Sequence, residues 1–223
     1  MKTLLLSLAA FWIVSFAAAQ KISYRHFTPK DGLLDLTTTC IFEDSKGYIW
    51  IGTKSGLSIY DGKHFKNYDV RDGLPNSYVA QIDEVDGSVW VMTRFGGLSQ
   101  FEVGGRLIKH YSLKGKVPED WEFNGTGIRL SKGKFLLYLS QNSTRKHLIF
   151  DTKTKQLEEY VFADGGYWVV WEVLSDGKWF ISGNTIDREL ENSPELLYLY
   201  DPETQEKEAV QFVERGYTKV ANM

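Results

Sequence analysis

The chain is poor in the residues that build covalent or metal-bound scaffolds. Its one cysteine, Cys40, forms no internal disulfide, so in an oxidising compartment the fold must be held by packing. Its four histidines, His26, His64, His110 and His147, include no close-spaced pair of the zinc-site kind, and no metal or cofactor is expected. Gly-x-Ser-x-Gly and the phosphate loop are both missing, which removes two common signatures of hydrolases and nucleotide enzymes. Charge is nearly balanced, 29 acidic against 26 basic residues, so a nucleic-acid partner is not indicated.

Long apolar runs are scarce as well. The one near the N-terminus follows Lys2 and covers residues 4–14, too short for a comfortable membrane span. With Ala17-Ala18-Ala19 before Gln20, residues 1–19 read as a cleaved secretion signal, and the mature chain is expected in the periplasm. A lipid anchor needs a cysteine directly after the signal, and Cys40 lies well downstream in a strand-like stretch. A membrane connection is expected only through a further C-terminal segment.

What the chain does have is aromatics, 14% of residues, and 20 glycines, a profile of many short strands joined by tight turns. It also repeats itself. Asp31-Gly32-Leu33 matches Asp72-Gly73-Leu74, Trp50 matches Trp90, Thr53 matches Thr93, Gly56-Leu57 matches Gly97-Leu98, and Tyr60 matches Phe101. The period of about 40 residues is that of one four-stranded propeller blade. In the first copy, strands are expected near residues 38–42, 48–53, 57–60 and 65–68, separated by glycine-bearing turns. Tyr48 and Trp50 fall on one face of the second strand, with Ile49 and Ile51 on the other. A sheet apolar on both faces needs a neighbour on each side, which stacked blades supply.

Weaker copies around Phe135 and Trp179 bring the expected total to four antiparallel blades, roughly residues 36–68, 78–111, 126–161 and 167–212. Residues 21–28 resemble an outer strand without its blade, and residues 217–223 read as the start of another. The expectation is an all-β propeller with an incomplete ring, part of a longer protein; a four-bladed ring with a makeshift edge is the alternative.

The segment Glu43-Asp44-Ser45-Lys46-Gly47-Tyr48-Ile49-Trp50-Ile51-Gly52-Thr53, with Asp72-Gly73-Leu74-Pro75 following, resembles the repeat of the two-component-regulator propeller family. The resemblance is specific over residues 31–111 and fades over residues 127–212, where Trp-x-x-Thr is lost. It implies the periplasmic sensor region of a hybrid two-component receptor, many of which respond to glycan fragments. It also implies a homodimeric full receptor with membrane and kinase parts beyond this sequence.

Function in a propeller collects on the face carrying the loops between second and third strands and between blades. That face is expected to receive Lys54, Asn76, Arg94, Phe95, Asp120, Trp121, Asn142, Arg145, Tyr167, Trp168 and an insertion around residues 184–188. Arg94-Phe95 replaces Lys54-Ser55 with a bulky pair, and Trp121 stands in an irregular acidic stretch. Aromatics beside amides and arginine suit a sugar, so Lys54, Asn76, Arg94, Phe95, Trp121, Arg145, Tyr167 and Trp168 form the expected ligand-binding set. The bland reading makes Trp121 and Trp168 plugs beneath long loops. Trp50, Thr53, Gly56, Trp90, Thr93 and Gly97 are expected to be structural, Cys40 a small core residue, and the sequons at Asn124 and Asn142 chance matches. The rival readings are a propeller enzyme, which needs histidine and carboxylate groups converging at the axis, and a scaffold for protein contacts.

Overall fold

A computed structural model describes residues 24–117, 121–130, 133–141, 144–164, 167–184, 196–213 and 216–219. They form four sheets, each antiparallel and ordered as the chain runs. The first holds β1 (Thr38–Glu43), β2 (Ile49–Thr53), β3 (Leu57–Tyr60) and β4 (Phe65–Tyr68). The second holds β5 (Val79–Val85), β6 (Ser88–Thr93), β7 (Gly97–Glu102) and β8 (Leu107–Ser112). The third holds β9 (Glu122–Leu130), β10 (Lys134–Gln141), β11 (Thr144–Asp151) and β12 (Leu157–Tyr160). The fourth holds β13 (Tyr167–Val173), β14 (Trp179–Asn184), β15 (Leu196–Tyr200), β16 (Lys207–Val213) and β17 (Gly216–Lys219). The protein is a β-propeller of four-stranded blades, the fourth with an added fifth strand, and no helix among the described residues is long and apolar enough to cross a membrane.

Burial on both faces is visible strand by strand. Along β6, Val89 and Val91 join the core between the first two blades, together with Trp50, Leu57, Ile59 and Phe101. Trp90 and Met92, pointing the other way, join the core between the second and third blades with Phe135, Leu137 and Phe150. Leu136 then contributes to the third interface beside Trp168, Trp179 and Tyr200. The exposed Ile41 lies opposite Ile51 on the first blade's outer-facing side, which no other blade covers among the described residues.

The repeated residues have definite jobs at the blade ends. The Thr53 hydroxyl donates to the Gly56 carbonyl and the Thr93 hydroxyl to that of Gly97, closing the turn between second and third strands. A side chain at either glycine would strike the backbone: an added Cβ would lie 2.3 Å from the Tyr68 oxygen at Gly56 and 2.2 Å from the Tyr111 oxygen at Gly97. Asp-Gly-Leu makes the link between blades. Asp31 and Asp72 each end a 3-10 turn and accept from the backbone three residues earlier, Gly32 and Gly73 take φ of 105° and 99°, and Leu33 and Leu74 plug into the core.

The aromatic at the end of each outer strand packs on the next blade. Tyr68 meets Phe101 with ring centroids 5.1 Å apart, and Tyr111 meets Phe150 at 5.8 Å. Phe27 meets Tyr60 in the same manner at 4.9 Å, so residues 24–28 occupy an outer strand's place. They are nonetheless not a strand, because no ladder partner lies beside them among the described residues. The far end also differs from expectation. Gly216–Lys219, expected to lead into a further blade, pairs with β16, with Val210 opposite Lys219, and residues 220–223 lie outside the described residues.

Candidate functional site

The first strands of three blades run side by side, and side chains lock them together. The Thr39 hydroxyl donates to the Val79 carbonyl at 2.5 Å, joining β1 to β5. The Gln81 amide both donates to the Gly127 carbonyl (2.6 Å) and accepts from its N–H (2.8 Å), joining β5 to β9. Each first strand also breaks its ladder near the loop face, between Thr38 and Cys40, between Val79 and Gln81, and opposite Leu137 and Leu139. In β9 the break is widest, since Asn124, Gly125 and Thr126 fall between the paired residues Phe123 and Gly127. Bulges of this kind re-aim side chains.

Here they open a concavity of about 470 Å³ lined by Thr37, Thr38, Thr39, Lys54, Tyr78, Ala80, Arg94, Asn124 and Thr126. Lys54 and Arg94 hold equivalent places in successive blades. The Lys54 N–H donates to the Thr37 carbonyl and the Arg94 N–H to that of Tyr78, so each cation sits beside the residue that leads into its own blade. Arg94 stacks over Tyr78 at 5.7 Å and over Phe95 at 4.9 Å. Its turn is pinned from the third blade, where the Phe95 N–H donates to the Phe123 carbonyl at 2.7 Å. Phe95 takes φ of 59°, an uncommon conformation for a bulky residue that this bond holds in place. Asp35, beside the site, is held below the usual carboxylate range by the Ser55 hydroxyl and the Thr37 N–H, with Lys54 adding to the effect.

Gly125 keeps the third blade close. Its φ is 79°, and an added Cβ would come within 2.8 Å of the Arg94 nitrogen and the Ala80 Cβ. Gly125→Ala is therefore expected to cost about 2 kcal/mol, from positive-φ strain and forced separation of β9 from the Arg94 turn. Thermal unfolding of the full chain checks this, and a variant as stable as the parent contradicts it.

Of the residues expected at the site, the fold brings Lys54 and Arg94 together and leaves the others apart. Asn76 accepts from the Tyr78 N–H at 2.9 Å, shaping the turn that presents Tyr78. Phe95 is exposed next to Arg94 without lining the cavity. Arg145 is exposed on β11 opposite Ser140. Trp121 leans on the core between the second and third blades, with the Lys146 ammonium 5.1 Å over its ring. Trp168 is a correction to the exposed placement: it is 1% exposed, because it shares a face with Val170 inside the third interface and donates its N–H to Asp164. The side chains of Tyr167 and Asn184, together with Asp120, Asn142 and Arg188, lie outside the described residues. Tyr78, Asn124, Thr126 and the three threonines were not expected. The signal available for Asn124 and Thr126 was a glycine inside a strand-like stretch, which often marks a bulge.

Two further concavities, each about 380 Å³, lie near the fourth blade. Carboxylates outnumber cations in both, Asp201, Glu206 and Glu208 against Lys178 and Lys207 in one and Asp176, Asp201 and Glu203 against Lys134 and Lys178 in the other, so each is weakly acidic. Cys40 stands behind the first-blade wall, where burial pushes its thiol above the ordinary range and away from nucleophilic use. Among the described residues no cluster of histidine, cysteine and carboxylate side chains is placed to hold a metal ion.

Comparison with known proteins agrees with the repeat. The two component regulator propeller family matches at residues 32–55, within the first blade and the link that leads into it. Histidine kinase P4 of Formosa agariphila is 42% identical over 45 residues, covering 20% of this chain and 3% of that protein. Among solved structures, the extracellular domain of a one component system from B. thetaiotaomicron is similar with a TM-score of 0.53 at 16% identity, covering 82% of this chain and 25% of that one. A streptogramin B lyase gives 0.52 at 15% identity, covering 82% of this chain and 57% of that one. Both likenesses are of fold. This chain spans a small part of the curated relative and a quarter of that extracellular domain.

Proposed function

We propose that this chain is the ligand-reading part of an exported two-component receptor and that it binds an oligosaccharide in the three-blade concavity. The observation that carries the reading is the convergence of Lys54, Tyr78, Arg94, Asn124 and a row of threonine hydroxyls on one open hollow at the blade axis. An aromatic ring offers a face to sugar C–H groups, while amide, hydroxyl and cationic donors read hydroxyl positions. The lining set has no histidine and no carboxylate among the described residues, which supports binding over acid–base chemistry. The signal-like residues 1–19, which lie outside the described residues, support export.

A ligand in this hollow touches three blades at once, so it favours whichever arrangement of blades fits it. That differential affinity is what a receptor transmits. Membrane, kinase and dimer-forming parts belong to the longer receptor of this reading. In calorimetric titration of the full chain against a panel of short glycans, Lys54→Ala and Arg94→Ala are each expected to weaken binding about tenfold, the worth of one charge-assisted hydrogen bond. Trp121→Ala is expected to leave affinity unchanged. Binding that survives both cation variants removes the site.

A further inference from the structure

We infer that the ligand of this hollow carries a negative charge, a carboxylate or sulfate on a sugar. The inference rests on the oligosaccharide reading above and narrows it. Two blades place a cation at the same point, Lys54 directly after Thr53 and Arg94 directly after Thr93, and both line one hollow. Neither forms an ion pair among the described residues. Other cations in the described residues are already engaged, Arg71 with Asp69 and Arg106 with Glu102 among them.

The nearby carboxylate attracts Lys54 but forms no ion pair with either cation among the described residues. Asp35 accepts from the Ser55 hydroxyl at 2.5 Å and from the Thr37 N–H at 2.8 Å, and it does not line the hollow. No aspartate or glutamate lines it among the described residues. A concave surface of low polarizability concentrates the field of the charges at its rim, so the two cations act together on what enters.

Arg94 is also pre-shaped for an oxyanion. With its guanidinium carbon 5.7 Å from the Tyr78 ring centroid and 4.9 Å from that of Phe95, and no ion pair of its own among the described residues, Arg94 is available to a group that accepts two parallel bonds, which a carboxylate or a sulfate does and a hydroxyl does not. The Thr39 hydroxyl is committed to Val79 and the Asn124 amide N–H to Ser140, which leaves the Thr38 and Thr126 hydroxyls and the Asn124 oxygen for the remaining ring hydroxyls. Contact with the two rings restricts the guanidinium before the ligand arrives, so less freedom is lost on binding.

The test is titration of the full chain with four probes of equal length: a galacturonate trimer, its methyl ester, a sulfated galactose trimer and neutral galactotriose. One or both charged probes are expected to bind about tenfold or more tightly than the ester and the neutral sugar, with affinity falling as salt rises. In Lys54→Gln with Arg94→Gln the preference is expected to vanish, and Arg94→Lys is expected to restore only part of it. Carboxylate and sulfate probes distinguish the two sources of charge. If the ester or galactotriose binds as tightly as the acids, and does so through Arg94, the charge inference fails while the oligosaccharide reading stands. If none of the four binds, both fall. A preference for acids that persists in the double variant also overturns the inference, since the charge is then being read elsewhere.

Discussion

Asp44→Ala is expected to lower the unfolding free energy by about 3 kcal/mol, because it strips several buried donors of one shared acceptor. One carboxylate oxygen of Asp44 accepts from the N–H groups of Lys46 and Tyr48, both at 3.0 Å. The other accepts from the indole of Trp50 and from the Gly104 N–H of the next blade, both at 2.9 Å. Trp50 is wholly buried and Asp44 is 4% exposed, so water replaces little of what is lost. Burial pushes this carboxyl upward, yet the four donors win and hold it below the usual carboxylate range. Its contribution therefore persists through neutral pH and is lost only in strong acid, as pH falls through that lowered value.

Asparagine is close in shape and still wrong. All four partners are donors, so an amide must aim its own N–H groups at one pair of them, and Asp44→Asn is expected to cost about 2 kcal/mol. Denaturant unfolding of the full chain measures both variants, and a loss below about 1 kcal/mol for alanine sinks the argument. The second blade shows the alternative. Its two-residue turn at Asp86-Gly87 puts Val85 where the first blade has Asp44, and the Trp90 indole N–H has no partner. The Lys155 ammonium stands 4.5 Å over that ring instead. Tryptophan is thus common to both interfaces while its polar anchor is not, and the first interface alone is expected to respond so strongly to loss of a carboxylate.

The architecture was legible because it follows from period. Apolar residues on both faces of β2 and β6 demand a neighbour on each side, and the recurring threonine and glycine mark turns that no other residues close so well. The site was half legible. Lys54 and Arg94 are placed by the repeat itself, one residue past a threonine that the turn geometry fixes. Tyr78 was readable only by analogy with Thr37, its counterpart. Asn124 and Thr126 were hidden because the third blade has lost the tryptophan and threonine that set register, and a bulge shifts facing without changing composition. Trp168 was misread for a reason that sequence contains: with Val170 two residues on, alternation puts both on one buried face. Residues at the ends of β17 and before Pro29 depend on which strand edges are free, and no local pattern carries that.

Acid is expected to loosen the protein well before its carboxylates protonate, and His147 is the cause. The ring lies 5% exposed in the third interface, between Tyr138 at 5.2 Å and Phe162 at 5.3 Å, with Nε2 unpartnered. Burial pulls its pKa down to about 4; a bond with the Trp168 backbone opposes the shift and the Arg145 charge adds to it. The unfolded chain titrates near the ordinary value of 6.5. Above that pH neither state holds the proton, and His147 adds no pH dependence. Between 6.5 and about 4 the unfolded chain takes up a proton that the folded one refuses, so stability falls as pH falls, by about 3 kcal/mol at the lower limit. Below it both states are protonated and the loss is complete. His147→Leu suits the apolar surroundings and is expected to abolish this part of the pH dependence while changing stability at pH 7 by about 1 kcal/mol or less. The difference between parent and variant across pH 7 to 4.5 isolates His147 from His110, whose pKa burial also lowers. If the two unfolding curves stay parallel over that range, His147 is not the acid-sensitive group. The lining of the three-blade hollow comes from the first three sheets, whereas His147 sits between the third and fourth. In an array whose stability resides in contacts between neighbours, acid should therefore unseat the fourth blade at a pH where ligand binding by the first three persists.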